Sequence, residues 1–181
     1  MKKIFLGLAL AFLMPITMFG QTYSELWKQV ERAQVKDLPQ TEMEVLRKIA
    51  KKAEKEQAYG QLLKAELAEA SVMCRVSNDS LRPAVERLVQ REQQVKNEAL
   101  RAVYDAVLGY IYEHNSSLLG EESIGLACRY YDKALANPDL LARTKAEAFT
   151  PDIILGKDSK LYDDDLLSVI AQQIVIVEFT I

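Results

Sequence analysis

Histidine and cysteine supply most general bases, nucleophiles and soft metal ligands, yet this 181-residue sequence holds one histidine and two cysteines. The histidine, His114, ends a helical pattern with no serine or cysteine motif beside it, so it does not read as a general base. An excess of one charge is also missing. The 23 Lys and Arg residues against 26 Asp and Glu leave a formal charge of -3, with no field to steer the chain toward phosphate backbones. Nucleic acid is therefore not an expected partner. A phosphate loop is lacking too: "GKDS" at 156–159 has no upstream glycine at the required spacing and reads as a turn. The triplet Asp163, Asp164 and Asp165 lacks the alternating acidic positions of a calcium loop and reads as a helix N-cap. No metal, no cofactor and no enzymatic activity is expected.

Long apolar runs are confined to the two ends. "MKKIFLGLALAFLMPITMFG" opens with Lys2 and Lys3, runs apolar to Met14 and meets Pro15 before the small residue Gly20, the order of a secretory signal peptide. A bilayer span needs about 20 consecutive apolar residues, and this run is shorter, so cleavage is expected near Gln21 with no membrane span afterwards. Export to a periplasm, cell envelope or extracellular space follows. At the other end, "IVIVEFTI" at 174–181 is a β-branched apolar tail that reads as a strand, paired internally or marking a truncated or frame-shifted end.

Between them, 21–173 reads as one helical-hairpin domain. Leu26, Trp27, Val30 and Ala33 repeat with helical period after Ser24, a candidate cap; Pro39 breaks the pattern; Thr41 and Glu44 form a capping box for a second helix. A third helix carries Leu62, Leu63, Leu67, Ala70 and Cys74, and a fourth carries Leu81, Val85, Leu88 and Val89. The polar tract "QREQQVKNE" predicts a break at 95–98. The stripe Ala99, Val103, Ala106, Val107, Tyr110 and Ile111 is then the expected central core element, and a helix over 123–136 follows. Short joins make the fold class all-α: antiparallel helical hairpins in a TPR-like or α-solenoid-like array, with a short irregular C-terminal region.

Arg47, Lys48, Lys51, Lys52 and Lys55 are interleaved with Glu44, Glu54 and Glu56 and read as a solvated face. Trp27, Tyr59, Tyr110 and Tyr131 are candidate interaction or packing anchors. In an oxidising compartment Cys74 and Cys128 admit a disulfide; both also fall on apolar helical faces, where a thiol acts as a small hydrophobe.

The order "SELWKQVERAQVKDLPQTEMEVLRKI", "AYGQLLKAEL" and "YYDKALANPDLLARTKAEAFTPDIILGKDSKLYDDDLLSVI" resembles the helical N-terminal region of the large alpha-2-macroglobulin-like proteins exported by Bacteroidetes. The resemblance spans about Ser24 to Ile170 and rests on scattered positions such as Trp27 and Leu38-Pro39. It implies a non-catalytic scaffold module of an envelope protease-inhibitor class, docking to its own downstream domains or to an envelope protein. Neither "CRVS" nor "CRYY" has Gln three residues after its cysteine, so the family's thioester is not carried over. The alternative is a free-standing TPR-like adaptor that binds peptides.

Overall fold

The structure is a computed structural model and describes residues 21–153 and 165–178. The signal-like segment 1–20, the "GKDS" turn, Asp163, Asp164 and the tail residues 179–181 lie outside the described residues. Six long or medium helices follow one another: α1 (Tyr23–Val35), α2 (Pro39–Glu56), α3 (Tyr59–Val76), α4 (Leu81–Gln94), α5 (Glu98–His114) and, after the short α6 (Ser116–Leu119), α7 (Ser123–Ala134). The short α8 (Pro138–Arg143) and α9 (Leu166–Glu178) complete the described chain.

Local chemistry sets the ends. Helix α1 is capped by Thr22 rather than Ser24: its hydroxyl accepts from the Glu25 amide at 3.3 Å while the Glu25 carboxylate accepts from the Thr22 amide at 2.8 Å. Helix α2 starts at Pro39, ahead of the expected Thr41 box, because proline's fixed φ suits the first helical position and its missing N–H costs nothing there. That start leaves Glu42 free to reach Arg75 on α3. Helices α1 and α2 both end without glycine. Asp37 (φ 51) and Gln57 (φ 55) take the left-handed conformation, and the Leu38 and Ala58 amides donate back to the Ala33 and Ala53 carbonyls, each at 2.9 Å.

These tight turns reverse the chain, and side-chain bonds record the register. The Tyr23 hydroxyl at the start of α1 donates to Glu56 at the end of α2, and Glu42 near the start of α2 meets Arg75 near the end of α3. Each helix from α1 to α5 packs on the next, and α7 packs on α5. The result is a stack of helical hairpins, the arrangement of a helical-repeat array. Hairpins begin at Tyr23, Tyr59 and Glu98, and α8 begins at Pro138. The step is roughly 36–40 residues, within the range of helix-pair repeats.

Two apolar clusters meet at α3. Leu26, Val30, Leu46 and Ile49 pack with Ala65 and Val72 on one side, whereas Leu62 and Leu63 join Leu88, Leu100, Tyr104, Leu108 and Leu166 on the other. The central helix is α5, as the sequence indicates, but its buried face is turned from the expected stripe. Leu100, Val103, Tyr104 and Leu108 are buried, Ala106 and Val107 are half-buried, and Tyr110 is 47% exposed. An apolar count along α5 passes over Tyr104, whose hydroxyl needs a buried acceptor, and that acceptor lies on α3. Helix α7 is likewise shifted by one residue: it buries Ser123, Ala127, Tyr130 and Ala134, which turns Ile124 and Cys128 outward.

Helix α9 overturns the strand reading of the tail as far as Glu178. Leu166 and Ile170 are buried one turn apart, α9 packs on α5 and α8, and this tertiary contact overrides the β preference of isoleucine and valine. Asp165 caps it, accepting from the Ser168 amide at 2.8 Å.

Gly60 marks the closest approach between hairpin and C-terminal region. A Cβ there would lie 2.2 Å from the Thr150 carbonyl oxygen and 2.3 Å from that of Phe149, both backbone atoms. Gly60→Ala therefore pushes 146–150 off α3, and a melting midpoint below wild type with new proteolytic cleavage near Phe149 is the expected result. Leu108→Ala should cost about 2–5 kcal/mol in denaturant unfolding, and Val107→Ala clearly less. Equal losses would restore the stripe that includes Val107.

Candidate functional site: a charged groove between α2 and α4

Helix α3 carries two carboxylates inside its otherwise apolar face, and both are answered by arginines from neighbouring helices. Glu69, only 1% exposed, receives Arg47 Nε of α2 at 2.7 Å and a guanidinium N–H of Arg87 of α4. Burial pushes the Glu69 carboxyl up, but Arg87 and Arg47 outweigh it and hold it below the usual carboxylate range. One turn earlier, Glu66 accepts the Tyr104 hydroxyl of α5 and has Arg91 Nε 2.9 Å away, out of line for a hydrogen bond. Here burial wins and the Glu66 carboxyl is raised. A second Arg91 nitrogen donates to Glu54 of α2 at 2.8 Å. Carboxylates that bind four helices together are thus paired at their inner ends, with Arg47 and Arg87 remaining half open to water.

Above this network lies an open cavity of about 280 Å³. Half-buried Ala70 and Met73 give its floor an apolar strip over buried Leu62, Ala84 and Leu88, and its walls carry Lys51 and Glu54 from α2 and Arg87, Gln90, Arg91 and Gln94 from α4. Such a site offers charged and amide groups on rigid helices over a greasy base, which is the chemistry of a docked side chain. Arg47, read from sequence as part of a solvated face, is exposed as expected and also pairs with Glu69. The overlooked signal is the placement of Glu66 and Glu69 among Leu62, Leu63, Ala65 and Ala70, since buried acids demand cations nearby.

The candidate anchors do not converge. Trp27 is half-buried; its Nε1 donates to Gln61 at 2.6 Å, Lys64 Nζ sits 4.9 Å from the ring centre, and the ring edges a smaller cleft with Val30, Ala68 and Ser71. Tyr59 stacks on Phe149 and its hydroxyl accepts from Asn97 at 3.3 Å. Tyr131 lies against Gly109 and donates to Glu113 at 2.6 Å, and burial together with that carboxylate raises its pKa. Tyr110 stacks on His114 with centroids 3.9 Å apart, and His114 Nδ1 is 3.0 Å from the Tyr110 carbonyl oxygen. Tyr110 and Tyr131 are neighbours across α5 and α7; Trp27 and Tyr59 stand apart from them. Cys74 on α3 is half-buried, Cys128 on α7 is exposed, and both are free thiols.

A further buried acid sits at the α4–α5–α7 junction. Asp105 of α5 is 3% exposed, its Oδ1 accepts no hydrogen bond among the described residues, and Glu92 of α4 is buried nearby. Burial and the Glu92 charge push the Asp105 carboxyl up to about 7, against the opposing pull of Lys133 and Arg101. Among the described residues, no group of three or more His, Cys, Asp and Glu is placed to hold a metal ion, and no helix is long and apolar enough to cross a membrane.

No family model, no curated protein and no solved structure matches this chain.

The raised Asp105 pKa has a definite sign. Between about pH 4 and pH 7 the folded chain holds a proton that the unfolded chain has released, so Asp105 makes stability fall as pH rises through that window. Asp105→Asn should be more stable than wild type at pH 8, by as much as ~4 kcal/mol, and about equal to it at pH 4. Denaturant melts at the two pH values check this; a difference independent of pH would refute it.

Proposed function

We propose that this chain is a non-catalytic helical interaction module that docks a protein segment in the groove between α2 and α4. The observation that carries the reading is the groove itself. An apolar strip from Ala70 and Met73 lies beneath polar groups carried by three helices. Hairpin stacking supports it, because helix-pair arrays present such grooves to extended or helical segments of a partner. On this reading the helical-repeat character is functional as well as architectural.

The order of residues in 1–20 supports export, which would place the module in a periplasm or cell envelope. The resemblance across Ser24 to Ile170 supports the further reading that it serves as the N-terminal scaffold of an alpha-2-macroglobulin-like envelope protein. In that setting the docked segment belongs to the protein's own sandwich domains or to an envelope partner. The groove equally suits a free-standing adaptor, which would take a peptide from a separate protein.

Site-specific photo-crosslinking in the native host tests both parts. A photoreactive residue at Gln90, on the groove wall, should give a discrete protein adduct recovered from the envelope fraction. The same residue at Lys28, on the exposed face of α1, should not. Equal labelling at the two positions, or none at Gln90, would overturn groove docking; recovery of the chain in the cytoplasmic fraction would overturn export.

A further inference from the structure

The groove walls carry more positive charge than a chain of net charge -3 would lead one to expect. Lys51, Arg87 and Arg91 line it, and Lys55 stands one turn beyond Lys51 on the same face of α2. Arg47 stands one turn before Lys51, with its guanidinium beside that of Arg87 on the shared Glu69 carboxylate. Against these five cations stand Glu54, Glu66 and Glu69, with Glu44 one turn before Arg47 on the same face of α2. Glu69 answers both Arg47 and Arg87, whereas Arg91 alone answers Glu54 and Glu66, so these two clusters balance and the excess falls to Lys51 and Lys55. Lys51 and Lys55 are exposed and form no ion pair among the described residues. The surplus is therefore positive, outward-facing and set beside an apolar floor.

We infer that the groove selects an acidic peptide segment, seating a small aliphatic side chain over Ala70 and Met73 with flanking carboxylates directed to Lys51 and Arg87. The inference rests on the docking reading above and adds the partner's chemistry to it. A volume of about 280 Å³ suits one or two small side chains rather than an aromatic ring with its neighbours. Peptide is favoured over a nucleic acid strand because no aromatic side chain lines the cavity. Single-stranded nucleic acid is held by base stacking on such rings as well as by a long phosphate track. Arginine supplies forked donors to a carboxylate, and lysine a point charge, so the two walls differ in what they recognise. Gln90 and Gln94 offer amide donors and acceptors suited to the backbone of an extended peptide.

Fluorescence anisotropy on the folded chain tests this with three labelled nonapeptides, alternating Ala with Asp, with Asn or with Lys, and with a nine-residue thymidylate strand. The Asp peptide should bind at least tenfold tighter than the Asn peptide, weaken steeply between 0.05 M and 0.5 M salt, and outcompete the Lys peptide and the thymidylate. Lys51→Glu should weaken Asp-peptide binding at least fivefold with an unchanged circular dichroism spectrum, because Lys51 is exposed and outside the buried network. Lys36→Glu, the same charge change at the α1–α2 turn, should leave it unaltered. Equal affinity for the Asp and Asn peptides would overturn acidic selection while leaving groove docking standing. Thymidylate binding as tight as the Asp peptide, or equal weakening by Lys36→Glu, would show general electrostatics and overturn it as well. Binding by none of the three peptides also overturns it, and the Gln90 crosslink then decides separately whether docking survives.

Discussion

A carboxylate removed from water needs positive partners, and in this fold that demand fixes where three helices stand. Glu69 projects from α3 into the seam between α2 and α4, where Arg47 reaches it from one side and Arg87 from the other. Neither arginine is deeply buried, so the interaction orients more than it stabilises, since exposed guanidinium groups are well satisfied by water in the unfolded chain. Glu66 repeats the theme a turn away and extends it to α5 through Tyr104. Apolar burial alone would let α2 and α4 slide along α3; the two acids pin their register.

Much of the architecture is legible from sequence because it depends on local signals. Pro39, the break after Gln94 and the Asn137-Pro138 pair mark helix limits directly, and the apolar period of α3 and α4 identifies their inner faces. Rotation is harder to read. In α5 the helix is apolar nearly all round, so no single stripe dominates; Tyr104 and Asp105 are buried although a polarity count would turn them outward. Helix α7 is offset by one residue as well: Ala127, Tyr130 and Ala134 are buried, while Tyr131, half-buried, sits close against Gly109. The tail from Ile174 to Glu178 has strand composition, yet continues a helix already committed by Leu166 and Ile170.

The groove was hidden for a different reason. Its members come from α2, α3 and α4, separated by tens of residues, and each taken alone has an ordinary explanation: lysines on a wet face, acids in a helix, arginines at helical spacing. Only the stacking order brings them together. The aromatic residues, which are conspicuous in a linear reading, serve separate contacts: Trp27 ties α1 to α3, Tyr59 holds the Phe149 region, and Tyr131 sits between α5 and α7. Conspicuous side chains packed the array, and inconspicuous ones built its cleft.

The hairpin step of roughly 36–40 residues carries a mechanical implication. In a stack where each helix contacts mainly its chain neighbours, shape is the sum of small pairwise rotations, so the whole can flex without any core being rebuilt. Helix α3 stands between α2 and α4, and most of α2 packs in one apolar cluster while α4 packs in the other, with Ala53 of α2 joining the two. A few degrees of roll about that shared helix would widen or narrow the cleft like the jaws of a clip. Glu69 and Glu66 would then act as the spring, drawing the arginines of both jaws back toward a common rest position.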